Sequence, residues 1–333
     1  MTAILRNGLF LAVVFVCSNV SNALTGHSTP DAFLQDQSAS LSDLLSSPER
    51  YAKALNMTID EVSSAKNRHA ELSEDLHLRL QSKELSGKEK HTLICQHRFQ
   101  HGRHPFVCQN CWSYLPVCVC GLAGERKQAL PKGMEIVVWT HHREWGLTSN
   151  TGCMLALTLK NCRLFMKGLP EHDKQLEQLL RDKTCLPVVL WPDQSENQDT
   201  RDRSYEPELI SLKEVRSEIE KRKVVLIAVD GTWRNARRMV ARLPSTVPRL
   251  DLPVDAVFSQ KDLQEKSESI LAPLRSKGPS IRKGYERQVC TAEAVVGALL
   301  NFGMDSCVGA HVLELTQKKV DLIKRYRGKV SQP

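Results

Sequence analysis

Long apolar runs are scarce in this chain of 333 residues, and no internal repeat is present. A membrane-spanning helix needs about 20 consecutive apolar residues. The apolar run near the N-terminus, Leu9 to Cys17, is much shorter, and no later segment reaches that length. We therefore expect no membrane insertion in the mature form. The lack of a repeat excludes a solenoid or similar array.

The composition also lacks the strong bias of a disordered protein. Hydrophobic residues make up 41% of the chain and charged residues 25%, which excludes a fully disordered chain and requires a packed core. The formal net charge is +8, a modest excess for this length. This excess favours an anionic partner such as nucleic acid, although it does not decide the matter.

The first 23 residues have the pattern of a targeting leader. A single positive charge at Arg6 precedes the apolar run, which is followed by small and polar residues ending Ser21-Asn22-Ala23. This order is typical of a secretory signal peptide. Two alternatives remain open: an N-terminal extension with no targeting role, and the first part of a bipartite presequence for an organelle.

The rest of the chain divides into a polar extension and a main domain. Residues 24–93 are rich in serine and mixed in charge, with weak amphipathic spacing, which predicts a partly helical extension. The main domain is predicted over residues 94–333, with its core at 134–326. Two polar insertions, 192–208 and 259–278, are predicted to be surface loops.

Compact apolar segments alternate with helix-like segments in the main domain. MEIVVWTHH, TCLPVVLWP, KVVLIAV and LPVDAVF predict buried strands, and NTGCMLALTLKNCRLFM is a further structured segment. Near-continuous apolar strands that alternate with helices favour an α/β fold, with a mostly parallel sheet and helices on both faces. The predicted helices are Asp173–Leu180, Leu209–Arg222, Trp233–Leu243 and Thr291–Phe302.

Four of the eleven cysteines lie within residues 108–120: Cys108, Cys111, Cys118 and Cys120. They form a Cys-x2-Cys pair followed by a Cys-x-Cys pair. Four thiolates suffice for a tetrahedral zinc site, which would be structural because no position stays open for catalysis. Buried cysteines without a metal, and disulfides, are the alternatives.

The segment VDGTWRNARRM leaves a buried strand and enters a basic helix. Asp230 ends the strand, Gly231 permits a tight turn, and Thr232 is a suitable N-cap. Ligands of parallel sheets bind at the carboxyl ends of strands, where Asp230 lies. The arginines of the helix form either a solvated face or a surface for phosphates.

Other polar segments are predicted to reach the same edge of the sheet. HHREW follows the VVW strand, and Asn150, Thr151 and Gly152 suit a turn and helix start. Further on, SIRK precedes CTAEA, in which we expect Thr291 to cap a helix and Glu293 to lie in its first turn.

These motifs together resemble one family. CQNC with PVCVC, HHREW with NTG, LIAVDGTWRNARRM, SIRK and CTAEAV follow the order seen in the DTW-domain proteins, over about Cys108 to Gly303. DGTW followed by a basic helix is the most specific element. Cys290 stands where a small hydroxyl residue is expected, and the two polar insertions are longer than expected.

The resemblance implies a tRNA-uridine aminocarboxypropyltransferase. Such enzymes transfer the 3-amino-3-carboxypropyl group of S-adenosylmethionine to N3 of a uridine in tRNA and release methylthioadenosine. The domain is considered related to the SPOUT methyltransferases, which implies a knotted C-terminal region that holds the cofactor. A SPOUT-like RNA methyltransferase, a non-enzymatic zinc-containing RNA-binding protein and a secreted disulfide protein are the alternatives.

The resemblance also implies roles for residues. Asp230 is the catalytic candidate, as a base or hydrogen-bond acceptor. The candidates for binding S-adenosylmethionine are Asn150, Thr151, Thr232, Trp233, Arg282, Thr291 and Glu293. The candidates for binding RNA are Arg234, Arg237, Arg238, His142 and Arg143. A tRNA substrate is compatible with a signal-like leader if the protein enters an organelle such as a plastid. The alternative localisation is the cytoplasm or nucleus.

Overall fold

The computed structural model describes residues 47–191, 208–250 and 289–327, together with 252, 269–271 and 274. The leader, Arg282 with the rest of SIRK, and the predicted DAVF strand lie outside these residues. So does nearly all of both polar insertions. Among the described helices none is both long and apolar enough to cross a bilayer.

Three helices precede the cysteine cluster: α1 (Pro48–Leu55), α2 (Ile59–Gln81) and α3 (Gly87–His101). Each begins after a hydroxyl residue whose side chain accepts a hydrogen bond from the first turn, as N-capping residues do. In α2 and α3, glutamates at the third helical position complete capping boxes. The extension therefore holds α1, α2 and the start of α3, and α3 continues past residue 93.

The main domain is built on a sheet of six parallel strands in the order β2-β1-β5-β3-β6-β4. The strands are β1 (Met134–His141), β2 (Cys162–Lys167), β3 (Cys185–Leu190), β4 (Leu209–Ile210), β5 (Lys223–Asp230) and β6 (Arg249–Leu250). The central strands β1 and β5 are buried along nearly their whole length, which explains their continuous apolar runs. The predicted α/β class with a parallel sheet is confirmed.

Helices cover both faces of this sheet. They are α4 (Gly152–Thr158), α5 (Pro170–Arg181), α6 (Leu212–Ile219), α7 (Trp233–Val240), α8 (Thr291–Asn301) and α9 (Ser306–Arg327). Successive side chains of a strand point to opposite faces. Val138 and Leu226 accordingly lie in a core with residues of α4 and α8, whereas Val137 and Ile227 lie in a second core with residues of α5 and α7.

One predicted helix, Leu209–Arg222, is shorter in the structure than predicted. Leu209 and Ile210 were expected to be helical, but they pair with Arg249 and Leu250 as a short edge strand. Ser211 then caps α6, which ends at Ile219. The other three predicted helices are present with shifted ends. The predicted knot depends on the chain between residues 252 and 289, most of which lies outside the described part.

The core of the sheet gives the first testable prediction. Leu226 is fully buried in the central strand, so Leu226→Ala removes apolar contacts and leaves a cavity. We expect the free energy of unfolding to fall by about 2–5 kcal/mol, measured by chemical denaturation. Leu78→Ala is the matched control, because Leu78 is 60% exposed on α2. Equal losses in the two variants would contradict this account of the core.

Candidate active site and metal centre

The carboxyl ends of β1 and β5 bring the polar motifs together. The two strands are neighbours, and Thr140 pairs with Asp230 in the register. The chain that leaves β1 passes through HHREW and reaches Asn150 just before α4. The Asp230 carboxylate accepts hydrogen bonds from Asn150 and Thr291. These residues are distant from it in sequence, by 80 and 61 positions respectively.

Asp230 is the centre of this arrangement. Its residue is 6% exposed. The Asn150 amide donates to Oδ2, and the Thr291 hydroxyl donates to Oδ1 at 2.8 Å. Burial raises the pKa of the Asp230 carboxyl, whereas the hydrogen bonds from Asn150 and Thr291 oppose that rise because they stabilise the charged form. The result is a fixed carboxylate with increased proton affinity at the carboxyl edge of the sheet.

A glycine allows α4 to begin next to this carboxylate. A Cβ at Gly152 would lie 2.9 Å from Cγ1 of Val138 and 3.4 Å from Oδ2 of Asp230. A larger residue would therefore push α4 away from the sheet. Asn150 precedes Thr151, the N-cap residue of α4, and its Oδ1 accepts a hydrogen bond from the Cys153 amide of the first turn at 3.2 Å. The same side chain thus starts a helix and orients Asp230.

The start of α8 differs from the prediction. Cys290, not Thr291, occupies the N-cap position, and its amide donates to Glu293 at 2.6 Å. The Thr291 hydroxyl is instead directed to Asp230. The buried Glu293 also accepts hydrogen bonds from the Ser269 hydroxyl and the Ile270 amide. These contacts account for its burial, and its role towards S-adenosylmethionine stays a prediction.

The helix α7 begins beside Asp230. Thr232 occupies its N-cap position, but its side chain makes no capping hydrogen bond, contrary to expectation, and the residue is exposed. Trp233 is partly buried, with its ring centroid 5.6 Å from that of Trp191. Arg234, Arg237 and Arg238 are exposed. Thr151, on the other side of the edge, is buried, and its hydroxyl lies 3.5 Å from the Ala292 amide.

The loop after β1 is held by helix α3. The guanidinium of Arg98 donates to the His142 carbonyl at 2.8 Å. Burial lowers the pKa of His141 to about 4 and the pKa of His142 to about 3. Nearby positive charges lower both values further, but burial has the larger effect. Both imidazoles are therefore neutral at pH 7. Arg143 is exposed, whereas burial and the charge of Asp230 raise the pKa of Glu144.

The four clustered cysteines converge on one point. All four sulfur atoms lie within 4.8 Å of one another, and the sulfurs of Cys108 and Cys120 are 3.6 Å apart, as are those of Cys111 and Cys118. All ten cysteines of the described part are free, so these distances are not disulfides. Four converging thiols can hold a metal ion, and this donor set is compatible with zinc.

Lys319 is a site residue that no motif of the sequence identifies. It lies on α9 and is 1% exposed. Its ammonium donates to the carbonyls of Cys111 at 2.6 Å and Asn150 at 2.7 Å, and lies 3.2 Å from the Cys153 sulfur. In the sequence it is one lysine of a KK pair, whose neighbour Lys318 is exposed. Its amino group links the cysteine cluster to the residue that orients Asp230.

A comparison with known families agrees with this assembly of motifs. The family described as the DTW domain matches residues 105–325, about two thirds of the chain. The chain belongs to the DTW-domain family. The resemblance drawn from the motifs is thereby confirmed, and membership supports a role in tRNA modification in general. Among the curated proteins and the solved structures, no match was found.

The match separates the DTW domain from the helices before it. The match includes Asp230, Asn150, Thr291, Lys319 and the four cysteines, and helices α1 to α3 precede it. Residue Arg282 also lies within it, outside the described residues. The binding roles expected for these side chains stay predictions.

The contacts of Lys319 predict its importance for stability. Lys319→Met keeps an unbranched side chain but removes every donor, which leaves the carbonyls of Cys111 and Asn150 with only the weak thiol donor of Cys153. Unpaired buried polar groups cost about 1–3 kcal/mol each. We expect the free energy of unfolding to fall by about that amount in chemical denaturation.

The adjacent lysine supplies the control for this experiment. Lys318→Met changes an exposed residue, for which an effect within about 0.5 kcal/mol is expected. If Lys319→Met were no more destabilising than Lys318→Met, the buried contacts of Lys319 would contribute nothing to the fold.

Proposed function

We propose that this protein transfers the 3-amino-3-carboxypropyl group of S-adenosylmethionine to N3 of a uridine in tRNA. Family membership supports the general class. One observation supports the reaction: a buried carboxylate, Asp230, is held by two donor side chains at the carboxyl edge of the central strands. A carboxylate at this edge can accept the proton of a uridine imide.

The chemistry requires a proton acceptor. S-adenosylmethionine, when bound, supplies the Cγ carbon that bonds to N3, while the bond from Cγ to the sulfonium sulfur breaks and its electron pair leaves with methylthioadenosine. The protonated imide is a poor nucleophile, so its proton must move to a base. Burial makes the Asp230 carboxylate a better proton acceptor than an exposed aspartate. Asn150 and Thr291 fix its two oxygens so that the acceptor needs no reorientation.

The surroundings of Asp230 fit the amino-acid end of S-adenosylmethionine. Two helices, α7 and α8, begin close to this carboxylate, and helix N-termini favour anionic groups such as a carboxylate. Asn150 and Thr151 would line this part of the pocket, and Arg282 would add a positive charge. Thr232 and the partly buried Trp233 would contact the adenine or the uracil, since aromatic rings stack on bases.

The tRNA would lie over the start of α7 and the loop after β1. Arg234, Arg237 and Arg238 are exposed on the helix that begins three residues after Asp230, and Arg143 is exposed in the loop. Arginine contacts to phosphates position a nucleic acid without reading its sequence. These side chains would therefore hold the backbone of tRNA while a uridine reaches Asp230.

The cysteine cluster would hold a structural zinc ion. Its four sulfur atoms lie within 4.8 Å of one another, so four protein ligands would be available to the ion and none of its positions would be left for a substrate. Trp112, between Cys111 and Ser113, packs against Trp145 of HHREW with ring centroids 5.0 Å apart. Zinc would thus hold the cluster against the loop that leads to the active site.

The product identifies the reaction. Purified protein is incubated with bulk tRNA and S-adenosylmethionine. The tRNA is then digested to nucleosides, whose masses are measured by mass spectrometry. We expect an aminocarboxypropyl-uridine and one methylthioadenosine for each group transferred. A methylated nucleoside would overturn the proposal in favour of a methyltransferase. Binding of tRNA with no dependence on S-adenosylmethionine and no adduct would favour a non-enzymatic RNA-binding protein.

The role of Asp230 is tested in the same assay. Asp230→Asn keeps the size of the side chain but removes the proton acceptor, so we expect kcat to fall on the order of 10²–10⁴-fold. Asp321→Asn, an exposed residue of α9, is the control and should keep normal turnover. Near-normal turnover of Asp230→Asn, with an unchanged melting temperature, would make the carboxylate a structural group.

A further inference from the structure

A second group of metal-binding side chains lies apart from the cysteine cluster. His91 and Cys95 are four residues apart on α3, and His142 follows β1. One ligand atom from each residue lies within 4.8 Å of the others. His91 Nε2 is 3.1 Å from His142 Nδ1, and the Cys95 sulfur is 3.9 Å from Nε2 of His91.

A glycine in the neighbouring backbone leaves room for His91 and Cys95. Gly168 follows β2 with φ of +92°, and a Cβ there would lie 2.2 Å from Cε1 of His91 and 2.9 Å from the Cys95 sulfur. Only glycine allows α3 to approach the end of β2 this closely. The buried Cys95 and the half-buried histidines are therefore fixed in position by packing.

The separations are close to those of a zinc site. With Zn–N near 2.0–2.1 Å and Zn–S near 2.3 Å, tetrahedral ligands lie roughly 3.3–3.6 Å apart. The observed 3.1 Å and 3.9 Å lie on either side of this range and need only small shifts. A simpler interpretation is a hydrogen bond between the imidazoles, with the thiol donating to the Lys167 carbonyl at 3.7 Å.

We propose that His91, Cys95 and His142 bind a second zinc ion. Two imidazoles and one thiolate are donors that zinc favours, and water would complete the shell. The ion links α3, which precedes the DTW match, to the loop after β1.

The surrounding charges predict that this ion binds more weakly than the ion in the cysteine cluster. Positive groups from three elements act on His91: Arg98 of α3, Lys167 of β2 and Arg242 after α7, with Asp173 of α5 opposing them. A cation is disfavoured in such a field. The site also has three protein ligands, whereas the cluster has four. A chelator should therefore remove this ion first.

Metal content tests the proposal without an activity assay. The full chain, purified with zinc, should contain two zinc ions per molecule, whereas the double variant with Cys95→Ser and His142→Asn should contain one. The matched control is Cys307→Ser with His97→Asn, which alters an exposed cysteine and another histidine of α3 and should retain two. Equal zinc in the wild type and the first variant would overturn the proposal.

Cobalt substitution provides a second test on the wild-type chain, should the variant fail to fold. Graded addition of chelator should first remove a Co²⁺ ion whose thiolate charge-transfer band is small, because one thiolate binds it. The spectrum of the four-thiolate ion should remain. A single cobalt ion with only the four-thiolate spectrum would show that the histidines and Cys95 form hydrogen bonds alone. This result is independent of the reaction proposed above.

Discussion

The proposed active site depends on the pair of hydrogen bonds that hold the Asp230 carboxylate. Burial destabilises its charge, and the donors Asn150 and Thr291 compensate for part of that loss. Each donor comes from a different helix start, so the carboxylate also fixes α4 and α8 against β5. The close approach at Gly152 makes this arrangement sterically possible. The proposed reaction and the local packing therefore depend on the same contacts.

Lys319 extends this network to the cysteine cluster. Its ammonium contacts the carbonyls of Cys111 and Asn150, so a shift of the cluster would reach the residue that orients Asp230. Through this link, a zinc ion held by the four cysteines would support the proposed active site without contacting a substrate. The cysteine cluster and Asp230 are thus connected through one network of buried polar contacts.

Much of the fold could be predicted because its signals are local. Continuous apolar runs such as β1 and β5 predict parallel strands, and the spacing of Cys108 to Cys120 predicts a metal site. Three features could not be predicted. Lys319 is buried against Cys111, the Thr291 hydroxyl donates to Asp230, and Leu209 pairs with Arg249 of β6; in each case the partner is distant in sequence. Tertiary packing decided each of them.

The most direct measurement is the pH dependence of kcat/KM for Thr291→Val. This change keeps the shape of the side chain and removes a donor that stabilises the charged carboxylate, so the pKa of Asp230 should rise further above its ordinary value. Because the base must be deprotonated to accept a proton, the acid limb of the profile should move to higher pH relative to the wild type. An acid limb at an unchanged pH, with transfer still measurable, would contradict the account of Asp230 as the proton acceptor.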